Sequence, residues 1–155
     1  MEQLKLIEDG LHWTITHGGD QRASKIYRRH YTDYCQKSKG GKFTGPGEST
    51  VLVLPNYQAL FVWMRNTIKR RDCQVGINCA VFRNESDILS SELILEAEQW
   101  AVERWGQQRA FTYIDANRVR SDNPGYCFKC AGWNLCGKSK VHKMLIMEKQ
   151  LKRGQ

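Results

Sequence analysis

The 155-residue chain has little proline and no long apolar run. Its three prolines and thirteen glycines exclude collagen-like chains, and its 41% hydrophobic residues exclude a disordered one. The apolar runs at 51–55 and 59–64 are far shorter than the roughly 20 residues that a membrane-spanning helix needs. The N-terminal residues MEQLKLIEDG carry acids where a secretory signal has bases and then an apolar stretch. We therefore expect one globular domain over residues 1–155, in the cytoplasm and without a membrane partner.

Acidic side chains are scarce between residues 21 and 43. This segment has seven Lys and Arg residues and one acid, Asp33, whereas residues 85–103 have six acids and no base. A surface polarised in this way attracts phosphates at long range, which favours DNA as a partner. A solvated basic surface without a ligand is the alternative. The candidate nucleic-acid-binding residues are Arg28, Arg29, Lys37, Lys39, Lys42, Arg118 and Arg120.

The six cysteines are not accompanied by a secretion signal, so we expect reduced thiols rather than disulfides. Cys127, Cys130, Cys136 and His142 have a spacing close to that of a zinc knuckle. Cys127 and Cys130 also lie in a segment that is predicted to be helical, where such thiols can be small core residues. Because one Cys-x-x-Cys without a second pair is a weak signal, we do not expect structural zinc.

Sequence periodicity predicts the order of helices and strands. Asp20 is the predicted N-cap of a helix that continues to about Tyr31. The helix with the clearest apolar spacing follows the predicted N-cap Ser90 and stops at Gly106. Hydrophobic alternation and turn residues predict the remaining elements. A strand pair, or a strand and a turn, is predicted at 4–16. The other predicted strands lie at 50–54, 59–64, 75–82, 109–115, 133–136 and 141–148, and a short helix lies within 123–131.

The segment Asn123–Trp133 has an Asn-bearing strand end that leads into a helix and a Lys-x-x-Gly-aromatic ending. Together with the order of elements, it resembles the GNAT acyltransferase fold. The resemblance implies an α/β (α+β) fold with a mixed, mainly antiparallel central sheet flanked by helices. GNAT enzymes hold the pyrophosphate of coenzyme A on the amides of a glycine-rich loop. Residues 84–91 lack glycine and include Glu85 and Asp87, so acetyl-CoA or another acyl donor is expected to bind weakly or by an unusual route.

Several short motifs follow one another in a characteristic order. They are His30-Tyr31, Ser91-Glu92-Leu93, Asp115, Gly125-Tyr126 and Lys129-x-Ala131-Gly132-Trp133. In this order they resemble the Mom family of GNAT-like phage proteins, which hypermodify adenine in DNA at N6 with an acetamide-type (carbamoylmethyl) group. The resemblance implies a DNA-modifying transferase with an iron centre, in the host cytoplasm if the protein is encoded by a phage.

The residues at these positions suit such chemistry. His30, Tyr31, Asp115 and Tyr126 offer an imidazole, a carboxylate and two phenols, an oxygen-rich set that suits iron better than zinc. Asp115 follows an apolar strand, where it can bind a cation, orient an amine or take its proton. Ser91 can donate to a substrate oxygen, or it can simply cap its helix. We therefore assign the imidazole, the carboxylate and the two phenols as iron ligands. The assigned catalytic residues are Asp115, Ser91 and Tyr126.

Chemistry on adenine N6 requires the paired base to leave the duplex. Tyr31, Tyr34, Phe43 and Trp63 are candidates for the receiving pocket or for a wedge, although each can instead be a core residue. Two other functions stay open: a GNAT acyltransferase acting on a nucleotide, a modified DNA base or another amine, and a non-catalytic nucleic-acid-binding protein. A homodimer also stays open.

Overall fold

A seven-stranded mixed sheet forms the centre of the fold in a computed structural model, which describes residues 12–29, 47–65, 72, 74–117, 123–140 and 143–153. The strand order is β1-β2-β3-β4-β5-β7-β6, and all neighbours are antiparallel except the parallel pair β4 and β5. The expected α+β class with a mainly antiparallel sheet is confirmed. The elements are β1 (Thr14–Thr16), α1 (Gln21–Arg29), β2 (Glu48–Val53), β3 (Ala59–Arg65), β4 (Ile77–Asn84), α2 (Ser90–Trp105), β5 (Arg109–Ile114), α3 (Tyr126–Cys130), β6 (Asn134–Lys138) and β7 (Leu145–Gln150).

One face of the sheet packs against α2 and α3. Leu93 and Ala97 of α2 are fully buried in a cluster with Phe61 and Trp63 of β3. The indole N–H of Trp63 donates to the carbonyl oxygen of Ala97 at 2.8 Å, and its ring stacks on that of Trp133. This burial corrects the expectation that Trp63 is a wedge or pocket residue for an extruded base.

The opposite face packs against α1. Ala23 and Ile26 of α1 are buried with Val51 and Val53 of β2, whereas Leu52, which lies between them, joins the cluster beneath α2. Successive side chains of a strand point to opposite faces, so β2 contributes to both layers. The result is a sheet with a short helix on one side and the long helix with α3 on the other.

A buried ion pair ties α2 to β7. The Nζ atom of Lys149 lies 2.7 Å from Oε1 of Glu98, and it also donates to the carbonyl oxygen of Ala131 at 2.8 Å. The indole N–H of Trp133 donates to the other carboxylate oxygen of Glu98 at 3.0 Å. Burial raises the pKa of Glu98 despite these partners. The pair therefore connects the long helix to the turn between α3 and β6.

The start of α2 differs from the expectation. Ser90 is the first helical residue rather than the N-cap, and Leu89 occupies the cap position without a side-chain hydrogen bond. The Ser90 hydroxyl oxygen instead accepts a hydrogen bond from Asn84 Nδ2 at 3.0 Å.

The predicted cap Asp20 is confirmed, because its Oδ1 accepts from the amides of Arg22 and Ala23 at the start of α1. Within the described residues, no helix has the length and apolar composition needed to cross a membrane.

Candidate active site at the carboxyl ends of β4 and β5

The parallel strands β4 and β5 pair over only part of their length. Their register joins Ile77 to Ala110 and ends where Cys79 meets Thr112, although β4 continues for five more residues, to Asn84. At this point the Thr112 hydroxyl donates to the carbonyl oxygen of Cys79 at 2.9 Å. Ligand sites in open sheets form beyond the carboxyl ends of parallel strands. The end of this strand pair is therefore the candidate site.

Asp115 follows the last residue of β5. It is half-buried, and its Oδ1 accepts from the amide of Asn117 at 3.1 Å, which makes a turn stabilised by the side chain. This bond fixes the side chain at the strand end. A substitution that keeps the acceptor oxygen but removes the charge, Asp115→Asn, can therefore separate a chemical role from a structural one.

A close contact brings Gly125, the residue before Tyr126, to the last residue of β5. Gly125 precedes α3 with φ 78°, and a Cβ atom there would lie 2.8 Å from Cδ1 of Ile114 and 2.5 Å from Sδ of Met147. Only glycine fits this backbone and this space, so α3 begins directly beside the residue that precedes Asp115. The Tyr126 side chain is 60% exposed. Its hydroxyl hydrogen-bonds the Cys130 sulfur, which raises the pKa of Tyr126.

The loop between β4 and α2 is closed by its own polar side chains. Asn84 donates to the carbonyl oxygen of Ile88 at 2.7 Å, and its Oδ1 accepts from the amide of Ser86 at 2.9 Å. The Ser86 hydroxyl oxygen accepts from the amide of Ile88 at 3.2 Å. Two amides of this loop are thus already bonded within it. Ser91 follows in the first turn of α2, where it is half-buried.

The acid at the start of this loop is held by two arginines. Nε and Nη2 of Arg29 each donate to Glu85 at 2.7 Å, and Nε of Arg83 donates to it at 2.6 Å. These hydrogen bonds, that of Arg29 first, lower the pKa of Glu85 to about 2. Because two guanidinium groups surround one carboxylate, the local charge is positive. This corrects the expectation that Glu85 meets an approaching phosphate as an uncompensated acid.

The candidate residues can now be located. Asp115 follows β5, Gly125 brings the start of α3 close to Ile114 of the same strand, and Ser91 is the second residue of the helix that follows β4. Arg28 is exposed at the end of α1, while Arg29 is joined to Glu85. The remaining candidates lie outside the described residues: His30, Tyr31, Lys37, Lys39, Lys42, Arg118 and Arg120, together with the aromatic candidates Tyr34 and Phe43.

The iron proposal rests on ligands that are only partly located. Asp115 and Tyr126 are described, but His30 and Tyr31 are not. In the part of the chain that the structure describes, no group of three or more His, Cys, Asp and Glu side chains could hold a metal ion. Tyrosine lies outside that set of residue types, so the proposed iron ligands are left as a prediction.

The cysteines of the possible zinc knuckle lie on different faces of the sheet. Cys127 packs against the cluster beneath α2, whereas Sγ of Cys136 accepts from Arg109, whose guanidinium lies over Phe111. Phe111 points away from the cluster that holds Ala110 and Ile114. Spacing along the chain did not reveal this separation. The four described cysteines, Cys79, Cys127, Cys130 and Cys136, are free thiols.

Sequence reasoning missed Asn84 and Arg83, which organise the end of β4. An Asn followed two residues later by Ser is a local signal for an Asx turn, and it could have indicated the closed loop. The contact of Arg83 with α1 joins residues 54 positions apart, and no local pattern predicts it. Comparison of the chain with family models, with curated proteins and with solved structures finds no match.

Proposed function

We propose that the protein is a DNA-modifying transferase, which adds an acetamide-type group to N6 of adenine in DNA as the Mom family does. The observation that carries the proposal is the close approach of Gly125, which precedes Tyr126, to Ile114, which precedes Asp115, near the end of the short parallel pairing. Two of the motifs behind the family resemblance, Asp115 and Gly125-Tyr126, thus adjoin the same strand. The order of elements, which was also part of that resemblance, supports the same proposal.

In the proposed reaction, adenine leaves the duplex before its exocyclic amine reacts. The N6 nitrogen forms a bond to carbon of the transferred group, the leaving group departs with its electron pair, and one N–H proton is released. Asp115 is the proposed acceptor of that proton, because a carboxylate within hydrogen-bond reach can orient the amine and take its proton. Ser91 is the proposed donor to a substrate oxygen.

The described residues partly fit the iron that the resemblance implies. Asp115 supplies a carboxylate oxygen, a ligand that iron accepts readily. Tyr126 supplies a phenol, and the neighbouring Cys130 raises its pKa, which opposes ligation as a phenolate. Bound iron would supply charge stabilisation at the reacting centre. Elemental analysis should find iron in the wild-type protein and in Cys130→Ser, and loss of iron in Asp115→Asn.

Mass spectrometry of nucleosides tests the proposed function. DNA from bacterial cells that express the wild-type protein should contain a deoxyadenosine of increased mass, and Asp115→Asn should abolish it. Glu103→Gln is the matched control, because Glu103 is an exposed acid on α2. Unmodified DNA from cells with folded wild-type protein would contradict the proposal and favour a non-catalytic DNA-binding protein. A modified pyrimidine would contradict the assignment to adenine.

A conventional acyltransferase that acts on an amine is the second candidate. The observation that favours it is the pairing of Glu85 with Arg29 and Arg83. Two cations and one acid leave a net positive charge at the start of the loop between β4 and α2, where a phosphate could bind. The bonded amides of Ser86 and Ile88 argue against it, since they cannot also cradle a pyrophosphate. Calorimetry with coenzyme A separates the two functions. Tight binding that Arg83→Gln weakens would favour the acyltransferase, whereas weak or absent binding supports the DNA-modifying enzyme.

A further inference from the structure

Helix α1 carries exposed charges of a single sign. Its sequence, QRASKIYRR, contains four bases and no acid. All four bases, Arg22, Lys25, Arg28 and Arg29, are exposed, whereas Ala23 and Ile26 are buried against the sheet. At 100° of rotation per residue, the four bases fall on one continuous side of the helix. The helix is thus apolar toward the sheet and cationic toward solvent.

The amino end of α1 is anchored by Asp20. While Oδ1 of Asp20 caps the helix, its Oδ2 accepts from the Thr16 hydroxyl at 2.6 Å and from the Tyr57 hydroxyl at 2.8 Å. Tyr57 has φ 57°, a conformation that residues other than glycine adopt rarely. Burial opposes ionisation of Asp20, but its hydrogen bonds outweigh that effect and lower its pKa. The contacts fix the start of α1 to β1 and to the β2–β3 turn.

The carboxyl end of α1 is anchored by arginine. Arg29 is paired with Glu85, and Nη1 of Arg83 donates to the carbonyl oxygen of Arg29 at 2.9 Å. A cation at the last turn of a helix also interacts favourably with the helix dipole. A nine-residue helix is marginal in isolation. Both of its ends are therefore held in place by contacts with the rest of the protein.

From this arrangement we propose that α1 is a rigidly mounted contact for the sugar-phosphate backbone of duplex DNA, through Arg22, Lys25 and Arg28. The inference deepens the proposed function, because DNA is the substrate of that function. Arg29 is the positioning residue, since its guanidinium is committed to Glu85. Arg22 lies with its guanidinium carbon 4.0 Å from the centroid of the Tyr57 ring. Stacking occupies the flat face of a guanidinium and leaves its N–H edge for phosphate oxygens.

The composition of the exposed side favours DNA over a lipid surface. A helix that binds a bilayer inserts an apolar face between the lipids. The apolar residues Ala23 and Ile26 of α1 are instead used against β2, β3 and β4, and the exposed side is almost entirely basic. Arg22, Lys25 and Arg28 follow one another at intervals of about 4.5 Å along the helix axis, since each residue rises about 1.5 Å, so their long side chains can reach different phosphates. The charge complements a polyanion.

Salt-dependent binding of an unmodified DNA duplex tests the proposal. For Arg22→Gln/Lys25→Gln, we expect affinity to fall about ten- to thirty-fold near 0.15 M salt, and the slope of log affinity against log salt to flatten by about 1.8. The matched control is Lys138→Gln/Lys140→Gln, which removes the same charge from exposed residues at the far edge of the sheet. The control should keep the wild-type slope. Circular dichroism verifies that both variants are folded.

Other outcomes overturn the proposal. Equal flattening in both double variants would mean a general charge effect, and an unchanged slope in the α1 variant would mean that DNA binds elsewhere. If the α1 double variant lost binding to vesicles that contain phosphatidylserine but bound the duplex like the wild-type protein, α1 would be assigned to a membrane surface. The Asp115→Asn variant separates this inference from the proposed function, because it should bind DNA like the wild-type protein and yet leave it unmodified. If the wild-type protein bound duplex DNA through α1 but did not modify adenine, the proposed function would be refuted and the inference about α1 would stand.

Discussion

The two faces of the sheet hold their helices by different means. Seven residues of α2 are buried against the sheet, among them Leu93, Ile94 and Trp100. Beneath α1, only Ala23 and Ile26 are buried, and hydrogen bonds at Asp20 and Glu85 fix its two ends. Burial of a large apolar side chain stabilises the folded state by about 1.5–3 kcal/mol, so the buried apolar side chains of α2 are enough to hold it on the sheet. The position of α1 depends on polar contacts at its ends, while its outer side is exposed and basic.

The comparison would break first at the Glu98–Lys149 ion pair, which lies beneath α2. Lys149→Met leaves Glu98 buried without its cation, and we expect the free energy of unfolding at pH 7 to fall by about 3 kcal/mol. Glu98→Gln, added to that variant, keeps an acceptor for Trp133 and should recover about half of the loss. Urea unfolding measures both, with the exposed Lys152→Met as control. No recovery in the double variant would show that packing of the Lys149 stem, rather than charge, dominates.

The same variant has a predictable dependence on pH. Burial already raises the pKa of Glu98, and loss of Lys149 should raise it further. A carboxyl group whose pKa is raised by folding destabilises the protein as pH rises from its unfolded pKa through its folded pKa. The deficit of Lys149→Met relative to the wild-type protein should therefore be smaller at pH 5 than at pH 8.

The second expected effect concerns the amino-terminal anchor of α1. Asp20→Ala removes the helix cap and the acceptor for Thr16 and Tyr57, and should lower the free energy of unfolding by about 2 kcal/mol. Asp20→Asn keeps one acceptor oxygen and should lose less. The matched control is Asp87→Ala, an exposed acid in the loop before α2. Equal losses in Asp20→Ala and Asp87→Ala would mean that α1 does not depend on its polar anchor.

The smallest expected effect lies at the other end of α1. Glu85→Gln weakens the contact with Arg29 and Arg83, and should cost about 1 kcal/mol at neutral pH, because solvent screens these partly exposed charges. Folding lowers the pKa of Glu85 to about 2, so its contribution is present above the ordinary value near 4.5 and is lost as pH falls toward 2. The stability difference between wild type and variant should shrink over this range. A constant difference would indicate a contribution that is independent of charge.

Local patterns predicted much of this fold, because some elements are decided by residues close in sequence. The apolar spacing from Leu93 to Trp105 indicated α2, and the turn at 55–58 indicated the β2–β3 hairpin. The cap at Asp20 was visible for the same reason. By contrast, the partners of Asp20, Glu85 and Glu98 include residues 37 to 56 positions away, and only tertiary structure brings them together.

The candidate site shows the same limit. The proximity of Gly125 to Ile114 depends on where α3 meets the sheet, and this is set by packing rather than by a motif. Spacing suggested a common role for Cys127 and Cys136. The face of the sheet on which Cys136 lies is instead set by strand pairing and by the irregularity between Leu135 and Gly137. Trp63 was ambiguous because an aromatic strand residue can equally serve a core or a ligand.

Amide hydrogen exchange of the wild-type protein, with and without an unmodified DNA duplex, tests most directly whether α1 is the helix that a DNA-modifying enzyme presents to its substrate. In the free protein, α1 should exchange faster than α2, because fewer of its side chains are buried. Duplex DNA should slow exchange along Gln21–Arg29 and leave β6 unchanged. Protection of β6 with no change in α1, or no protection at a DNA concentration that saturates binding, would contradict the account.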